Sequence, residues 1–200
     1  MPSYLLLNKP KGVVTSTRGG AGRRTVLDFI PFALRGEHHW YWVGLLDADS
    51  TGLILLTDDS AFSRQLDHPK LGVLKEYRAV CTGQTDDEQL QKLRAGLYLV
   101  NPAADGTKTT QRAAMEAVRI LKRQVDRTRG DRTLLSLTVR EGEPREIRRM
   151  LARVGLKLRE LERVAIGPLR VAGLKAGATK LLGKKDVERL RESVLGQALG

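Results

Sequence analysis

The stretch Val43-Gly44-Leu45-Leu46-Asp47-Ala48-Asp49-Ser50-Thr51-Gly52-Leu53-Ile54-Leu55-Leu56-Thr57-Asp58-Asp59 decides how this chain folds. An aromatic, β-prone run from Trp40 to Val43 stops at a carboxylate. A polar turn of Asp, Ser, Thr and Gly follows, and then a second apolar run. A carboxylate on a sharp turn between two buried strands is held rigidly and points into the space above the sheet, which suits a nucleophile or a base. Three other readings fit part of the pattern. Asp47, Asp49 and Asp58 imitate a calcium-binding loop, but that loop needs a helix on each side and a bidentate Glu at its end. Here the flanks have strand character and the closing residue is the shorter Asp. Asp47 and Asp49 also match the Asp-x-Asp metal pair of a sugar-nucleotide transferase, which nothing else in the chain supports. The plainest reading is a solvated β-turn whose Asp and Ser side chains cap the backbone.

The net charge of +12 over 200 residues is unevenly placed. Residues 1–110 hold 13 Lys and Arg against 12 Asp and Glu, whereas residues 111–200 hold 22 against 11. A basic half on an otherwise balanced chain is an electrostatic footprint for a polyanion such as RNA or DNA, against the plainer reading of a soluble charged surface. No apolar run of membrane-spanning length occurs, and Met1-Pro2-Ser3-Tyr4 lacks the basic and apolar regions of a signal peptide. A cytoplasmic protein is therefore expected. The single Cys81 forms no internal disulfide and reads as a small buried hydrophobe. His38, His39 and His68 have neither Cys partners nor ligand spacing, so no metal site is expected. Gly19-Gly20-Ala21-Gly22-Arg23-Arg24 lacks the Gly-Lys-Ser/Thr of a P-loop and reads as a flexible basic loop.

The apolar periodicity predicts strands near 4–8, 12–16, 40–46, 53–57, 75–82, 115–122, 133–140 and 157–171, and helices near 25–30, 59–67, 86–95, 145–154 and 184–194. Asp86-Asp87-Glu88 supplies first-turn acids and Gly96 a stop for the third helix. In the fourth, Ile147, Met150, Leu151 and Val154 share one face. The segment from Gly96 to Gln111 is short of large apolar residues after Val100 and reads as a loop. Lys122 to Arg132, with a net charge of +3, reads as an exposed hairpin tip. Strands and helices mix without βαβ regularity, which predicts an α+β fold with a mixed, largely antiparallel sheet.

Four further blocks accompany the Asp47 turn. They are Tyr4-Leu5-Leu6-Leu7-Asn8-Lys9-Pro10-Lys11-Gly12, Lys75-Glu76-Tyr77-Arg78-Ala79-Val80, Glu141-Gly142-Glu143-Pro144-Arg145-Glu146-Ile147-Arg148-Arg149-Met150, and Leu161-Glu162-Arg163 through Ile166-Gly167-Pro168-Leu169. In order and spacing the five blocks resemble the RsuA/RluB/RluE group of RNA pseudouridine synthases over nearly the whole chain. The resemblance implies the pseudouridine synthase fold, a single catalytic domain over 1–200 with two α/β lobes around an active-site cleft. It implies no S4-type RNA-binding domain ahead of Tyr4, as in the short RluE-like members.

The same resemblance implies that Asp47 is the catalytic nucleophile and that Tyr77 packs against the flipped uracil. It makes Arg148 the basic partner that holds the Asp47 carboxylate ionised. Lys9, Lys11, Arg145, Arg149, Lys122, Arg127 and Arg129 are the expected RNA contacts. The isomerisation breaks the N1–C1′ bond, turns the base and rejoins it through C5, so it requires no cofactor. The base must first leave its stack, which calls for an aromatic surface and a basic cradle for phosphates. Leu45 stands where the family has an Arg that reaches toward RNA, and Glu146 replaces a Gln, adding negative charge near the phosphate side. The expected partner is ribosomal RNA, specifically that of the large subunit (23S), with no membrane and no metal, and the enzyme is expected to act as a monomer. Two alternatives from other classes stand beside this. One is an RNA-binding assembly factor that keeps the fold without activity, for which Leu45 speaks. The other is a DNA-binding protein, for which no helix-turn-helix or zinc motif is found.

Overall fold

The computed structural model describes residues 2–36, 39–68, 72–102, 107–128, 130–140 and 145–198. Its strands are β1 (Tyr4–Lys9), β2 (Tyr41–Val43), β3 (Thr51–Thr57), β4 (Lys75–Thr82), β5 (Leu97–Pro102), β6 (Lys108–Ala113), β7 (Ala117–Gln124), β8 (Arg132–Val139), β9 (Lys157–Ile166), β10 (Leu169–Arg170) and β11 (Thr179–Leu181). Its helices are α1 (Phe32–Arg35), α2 (Ser60–Leu66), α3 (Asp87–Ala95), α4 (Glu146–Arg153) and α5 (Lys184–Ala198). The contacts divide the chain into two compact units. The first comprises Met1–Glu76, Arg140–Gly142 and Glu162–Gly200, and the second Tyr77–Val139 and Glu143–Leu161.

In the first unit the strand order is β11-β1-β3-β9, with β2 also paired to β3 and β10 to β9. β1 runs antiparallel to β3, Leu6 opposite Leu55, while β9 joins β3 in parallel at Thr51↔Glu162 and Gly52↔Arg163. The sheet is therefore mixed. β3 is apolar from Leu53 to Leu56 because both of its faces are buried. Tyr4, Leu6, Val43, Leu53, Leu55, Phe62 and Leu66 form one core, and α5 lays Val187, Leu190 and Val194 against it. Asp59 caps α2 by accepting from the Phe62 amide at 2.9 Å, and its other oxygen accepts from the Tyr4 hydroxyl at 2.7 Å.

Gly52 is where this packing is tightest. Its φ is +105°, and a Cβ there would lie 2.6 Å from the Arg163 backbone nitrogen, with the Arg163 carbonyl closer still. Only glycine satisfies both the conformation and the close approach of two strands. Gly52→Ala is expected to destabilise the fold by about 3 kcal/mol or more, through strain and overpacking together. A fall in the urea midpoint measures it.

In the second unit the order is β9-β4-β8-β7, with β5 and β6 forming a separate two-stranded sheet. β8 alternates cleanly, Thr133, Leu135, Leu137 and Val139 being buried. α3 starts at the Asp86–Gln89 capping box and ends at Gly96, whose φ is +93°. α4 buries Ile147, Met150 and Leu151, as its periodicity predicts.

Several expected elements are corrected. Residues 12–16 form no strand. Val14 makes an isolated bridge with Thr25, and the neighbouring polar groups go to turns instead. The expected loop at 96–111 is largely the β5–β6 hairpin, with Leu97 opposite Ala113 and Pro102 opposite Lys108. Lys122 lies within β7, opposite Leu134 and beside a bulge at Leu121, so the tip itself is confined to residues 125–131.

Candidate active site

Asp47 sits between β2 and β3 on a turn closed by the Ser50 amide donating to the Asp47 carbonyl at 3.1 Å. Its side chain is half-buried, Leu46 before it is buried and Leu45 is 52% exposed. The N-terminal motif comes down directly on this turn. The Gly12 amide donates to the Ala48 carbonyl at 2.6 Å, and the Thr15 hydroxyl donates to the Leu46 carbonyl at 2.9 Å. Gly12 and Thr15 thus brace the Asp47 turn while Val14 bonds to Arg24 and Val26, so the segment forms no ladder of its own.

Beneath the turn lies Arg163, wholly buried. Its Nε donates to the Leu53 carbonyl at 2.7 Å, and one Nη reaches the carbonyls of Val43 at 3.3 Å and Gly44 at 3.4 Å. One guanidinium therefore ties together the strand that enters the Asp47 turn and the strand that leaves it. Gly44, at φ +71°, makes room for it, since a Cβ there would lie 2.5 Å from an Arg163 nitrogen. The Gly44 amide in turn donates to Asp67 at 2.7 Å, and the other Asp67 oxygen takes the buried Lys75 ammonium at 3.2 Å.

Lys9, expected to contact RNA, is instead fully buried at the end of β1. Strand β1 is flanked by β11 and β3, and the Lys9 ammonium turns inward to the carbonyls of Val13 at 2.8 Å and Pro10 at 3.2 Å. Burial pushes its pKa down to about 8, against the pull of the Asp49 and Asp47 charges and with the help of Arg163's. Lys9 thus belongs to the electrostatics behind the Asp47 turn. The sign of its pH effect follows. Between about pH 8 and its ordinary value near 10.5 the unfolded chain binds the proton more readily than the fold does. On this account stability rises with pH through that window and falls back as the pH drops to 8. The stability difference between wild type and Lys9→Met, from urea unfolding across this range, is expected to grow with pH. A flat difference would mean that Lys9 titrates as a surface lysine.

The remaining candidates lie in the second unit. Tyr77 is 1% exposed on the inward face of β4, so its ring offers little free surface. Arg148 and Arg149 are both half-buried on α4, and Arg149 donates to the Val100 carbonyl at 2.8 Å, tying the helix to β5. Arg145, exposed at the start of α4, has φ +59°, the only positive value at a non-glycine position among the described residues. Glu146, expected to bring negative charge toward phosphates, is 8% exposed and sits in the first turn of α4, where the helix dipole favours it. Lys11, Lys122 and Arg127 are exposed, whereas Arg129 and Glu141 to Pro144 lie outside the described residues. Among the described residues no group of three or more His, Cys, Asp or Glu is arranged to hold a metal, and no helix is long and apolar enough to cross a membrane.

Arg163 is not among the site residues expected from the sequence. Its signal was present in the alternation of β9, where Leu161, Arg163 and Ala165 share the buried face. An arginine on the apolar side of a strand must find acceptors inside the protein.

In sequence and fold the chain is similar to known proteins. The family model for RNA pseudouridylate synthase matches residues 3–153. The chain is 34% identical over 193 residues to the ribosomal large subunit pseudouridine synthase B of Bacillus subtilis, covering 95% of this chain and 72% of that protein. It is also 34% identical to the protein of the same name from Yersinia pestis, covering 93% of this chain and 54% of that one. A crystal structure of a pseudouridylate synthase superposes with a TM-score of 0.77 at 27% identity, over 95% of this chain and 74% of that one. Cbf5 in its complex with Nop10 and Gar1 shares the fold at a TM-score of 0.62 and 19% identity. With three-quarters of its length matched by the family model, and with the α+β fold of its solved relatives, the chain belongs to the RNA pseudouridylate synthase family.

Proposed function

We propose that this enzyme isomerises one specific uridine of ribosomal RNA to pseudouridine, in the large-subunit (23S) molecule, acting as a cytoplasmic monomer with Asp47 as its nucleophile. The observation that carries the assignment of Asp47 is the bracing of its turn. Gly12 and Thr15 hold it from the N-terminal motif, and the buried Arg163 clamps both strands that flank it. A carboxylate held this rigidly is preorganised for attack on the sugar or the base, or for removal of a sugar proton. The choice of RNA molecule follows the names of the Bacillus and Yersinia relatives.

Arg148 and Tyr77 are the substrate-binding residues of this proposal. The burial of Tyr77 limits it to presenting an edge of its ring, and Arg148 supplies positive charge from the first turns of α4. The exposed Lys11, Arg145, Lys122 and Arg127, with the half-buried Arg149, supply phosphate contacts. The αL backbone at Arg145 fits such a role, because strain of this kind collects at functional sites.

Pseudouridine mapping of ribosomal RNA with and without the gene tests the proposal. The expected result is one large-subunit position that loses its modification, restored by the wild-type gene and not by Asp47→Asn. An unchanged map from cells lacking a protein that nevertheless binds ribosomal RNA would establish a non-catalytic binding factor instead.

A further inference from the structure

Both tryptophans of the chain line one concave pocket of about 380 Å³ in the first unit. Its walls include His39, Trp40, Tyr41 and Trp42 from the run leading through β2, with Arg64 and Asp67 from α2 and its C-terminal cap. The volume falls at the small end of ligand sites, which span roughly 300–1,000 Å³. We propose that this pocket is a base-stacking subsite that takes one unpaired nucleotide flanking the target uridine, deepening the functional reading above and resting on it.

Three observations select a nucleotide. Consecutive aromatic side chains beside an arginine are the components of sequence-tolerant single-strand binding, in which a base stacks on a ring and a cation meets its phosphate. The charge is right as well. Asp67 is the one acid among the lining residues, and both of its oxygens are engaged, by the Gly44 amide at 2.7 Å and the Lys75 ammonium at 3.2 Å. The exposed Arg64 is the one permanent cation among the lining residues, so with Asp67 paired the lining is positive. Lastly, the indole Nε1 of Trp40 is buried with no acceptor among the described residues. An indole N–H can only donate, and the carbonyl oxygens and ring nitrogens of a base are the complementary groups.

The position gives the subsite a purpose. Asp67 grips the Gly44 amide, and Gly44 is three residues ahead of Asp47 on the same segment. A base seated between β2 and α2 is therefore registered against the strand that delivers the nucleophile, and it helps choose which uridine reaches Asp47.

Intrinsic fluorescence tests this directly, because all tryptophan emission comes from the pocket. Single-stranded RNA hexamers are titrated into the full chain, with binding followed in parallel by anisotropy of a 5′ label. Binding is expected to quench the emission by about half, and both Trp40→Leu and the surface change Arg64→Gln are expected to weaken binding by about tenfold. The same variants should lower the single-turnover rate on ribosomal RNA at subsaturating enzyme and recover it at high enzyme concentration. RNA binding without quenching, with both variants at wild-type affinity, overturns the subsite and leaves the synthase assignment standing. Absence of any RNA binding overturns both. Emission that changes with protein concentration instead of RNA would mark a self-association surface and likewise overturn it.

Discussion

Asp47→Asn is expected to abolish pseudouridine formation, by at least about 10³-fold, while leaving RNA affinity within a fewfold. The substitution keeps the shape of the side chain and removes the charge and the oxygen proposed as the nucleophile. The turn itself is fixed by backbone and hydroxyl contacts at Ser50, Ala48 and Leu46, none of which uses the Asp47 carboxylate. A urea midpoint near the wild-type value would assign the loss to chemistry and not to folding. Tritium release from uridine labelled at C5 measures turnover, and near-normal release would remove Asp47 from the mechanism. Asp49, exposed two residues on, is the control. Asp49→Asn should retain most of the activity. It should also move Lys9 still further below about 8, because the Asp49 charge is the largest influence holding that pKa up. A chemical role and an electrostatic one are thereby separated at neighbouring carboxylates.

Much of this was legible in the sequence, and the failures share physical causes. α3 and α4 were readable because caps and a 3.6-residue apolar period act locally. β3 was readable because a strand buried on both faces is a continuous apolar run. The β5–β6 hairpin was hidden because β6 is exposed from Lys108 to Arg112 and carries no apolar side chain there, so its pairing leaves no hydrophobic pattern. Val13, Val14 and Thr15 have strand-forming side chains, yet Val14 bonds to Arg24 and Val26, the Val13 carbonyl takes the Lys9 ammonium, and the Thr15 hydroxyl holds the Leu46 carbonyl. Lys9 was misread for the opposite reason. A lysine ending an apolar strand ordinarily snorkels to water, and here the carbonyls of Pro10 and Val13 just beyond the strand take the ammonium inside. The turn that carries Asp47 is legible from its motif, whereas Arg163 beneath it depends on strands far apart in the chain.

Arg163→Met is expected to destabilise the fold by about 2–4 kcal/mol and to slow the single-turnover rate by about 10–100-fold. Methionine matches the length of the side chain and fills much of its volume, so little cavity is created. What is lost is the donor set serving the Leu53, Val43 and Gly44 carbonyls, at a site with no access to water. Leaving buried acceptors unsatisfied costs about 1–3 kcal/mol each. Part of that is returned, because Arg163 and Lys9 are two buried cations that repel each other. Removing one of them should let the Lys9 pKa climb from about 8 back toward 10.5. The rate falls because the strands entering and leaving the Asp47 turn are no longer tied together, and small displacements of a nucleophile are costly. Urea midpoints, single-turnover rates on folded protein and the pH dependence of stability read the three effects separately. If Arg163→Met matched the wild type in midpoint and rate, the guanidinium would be a passenger in the core and the bracing of Asp47 would have to come from Gly12 and Thr15 alone. If stability fell while the rate held, Arg163 would serve the fold and not the site. The combination of both losses with an upward-shifted Lys9 is the signature of a buried cation that positions the nucleophile.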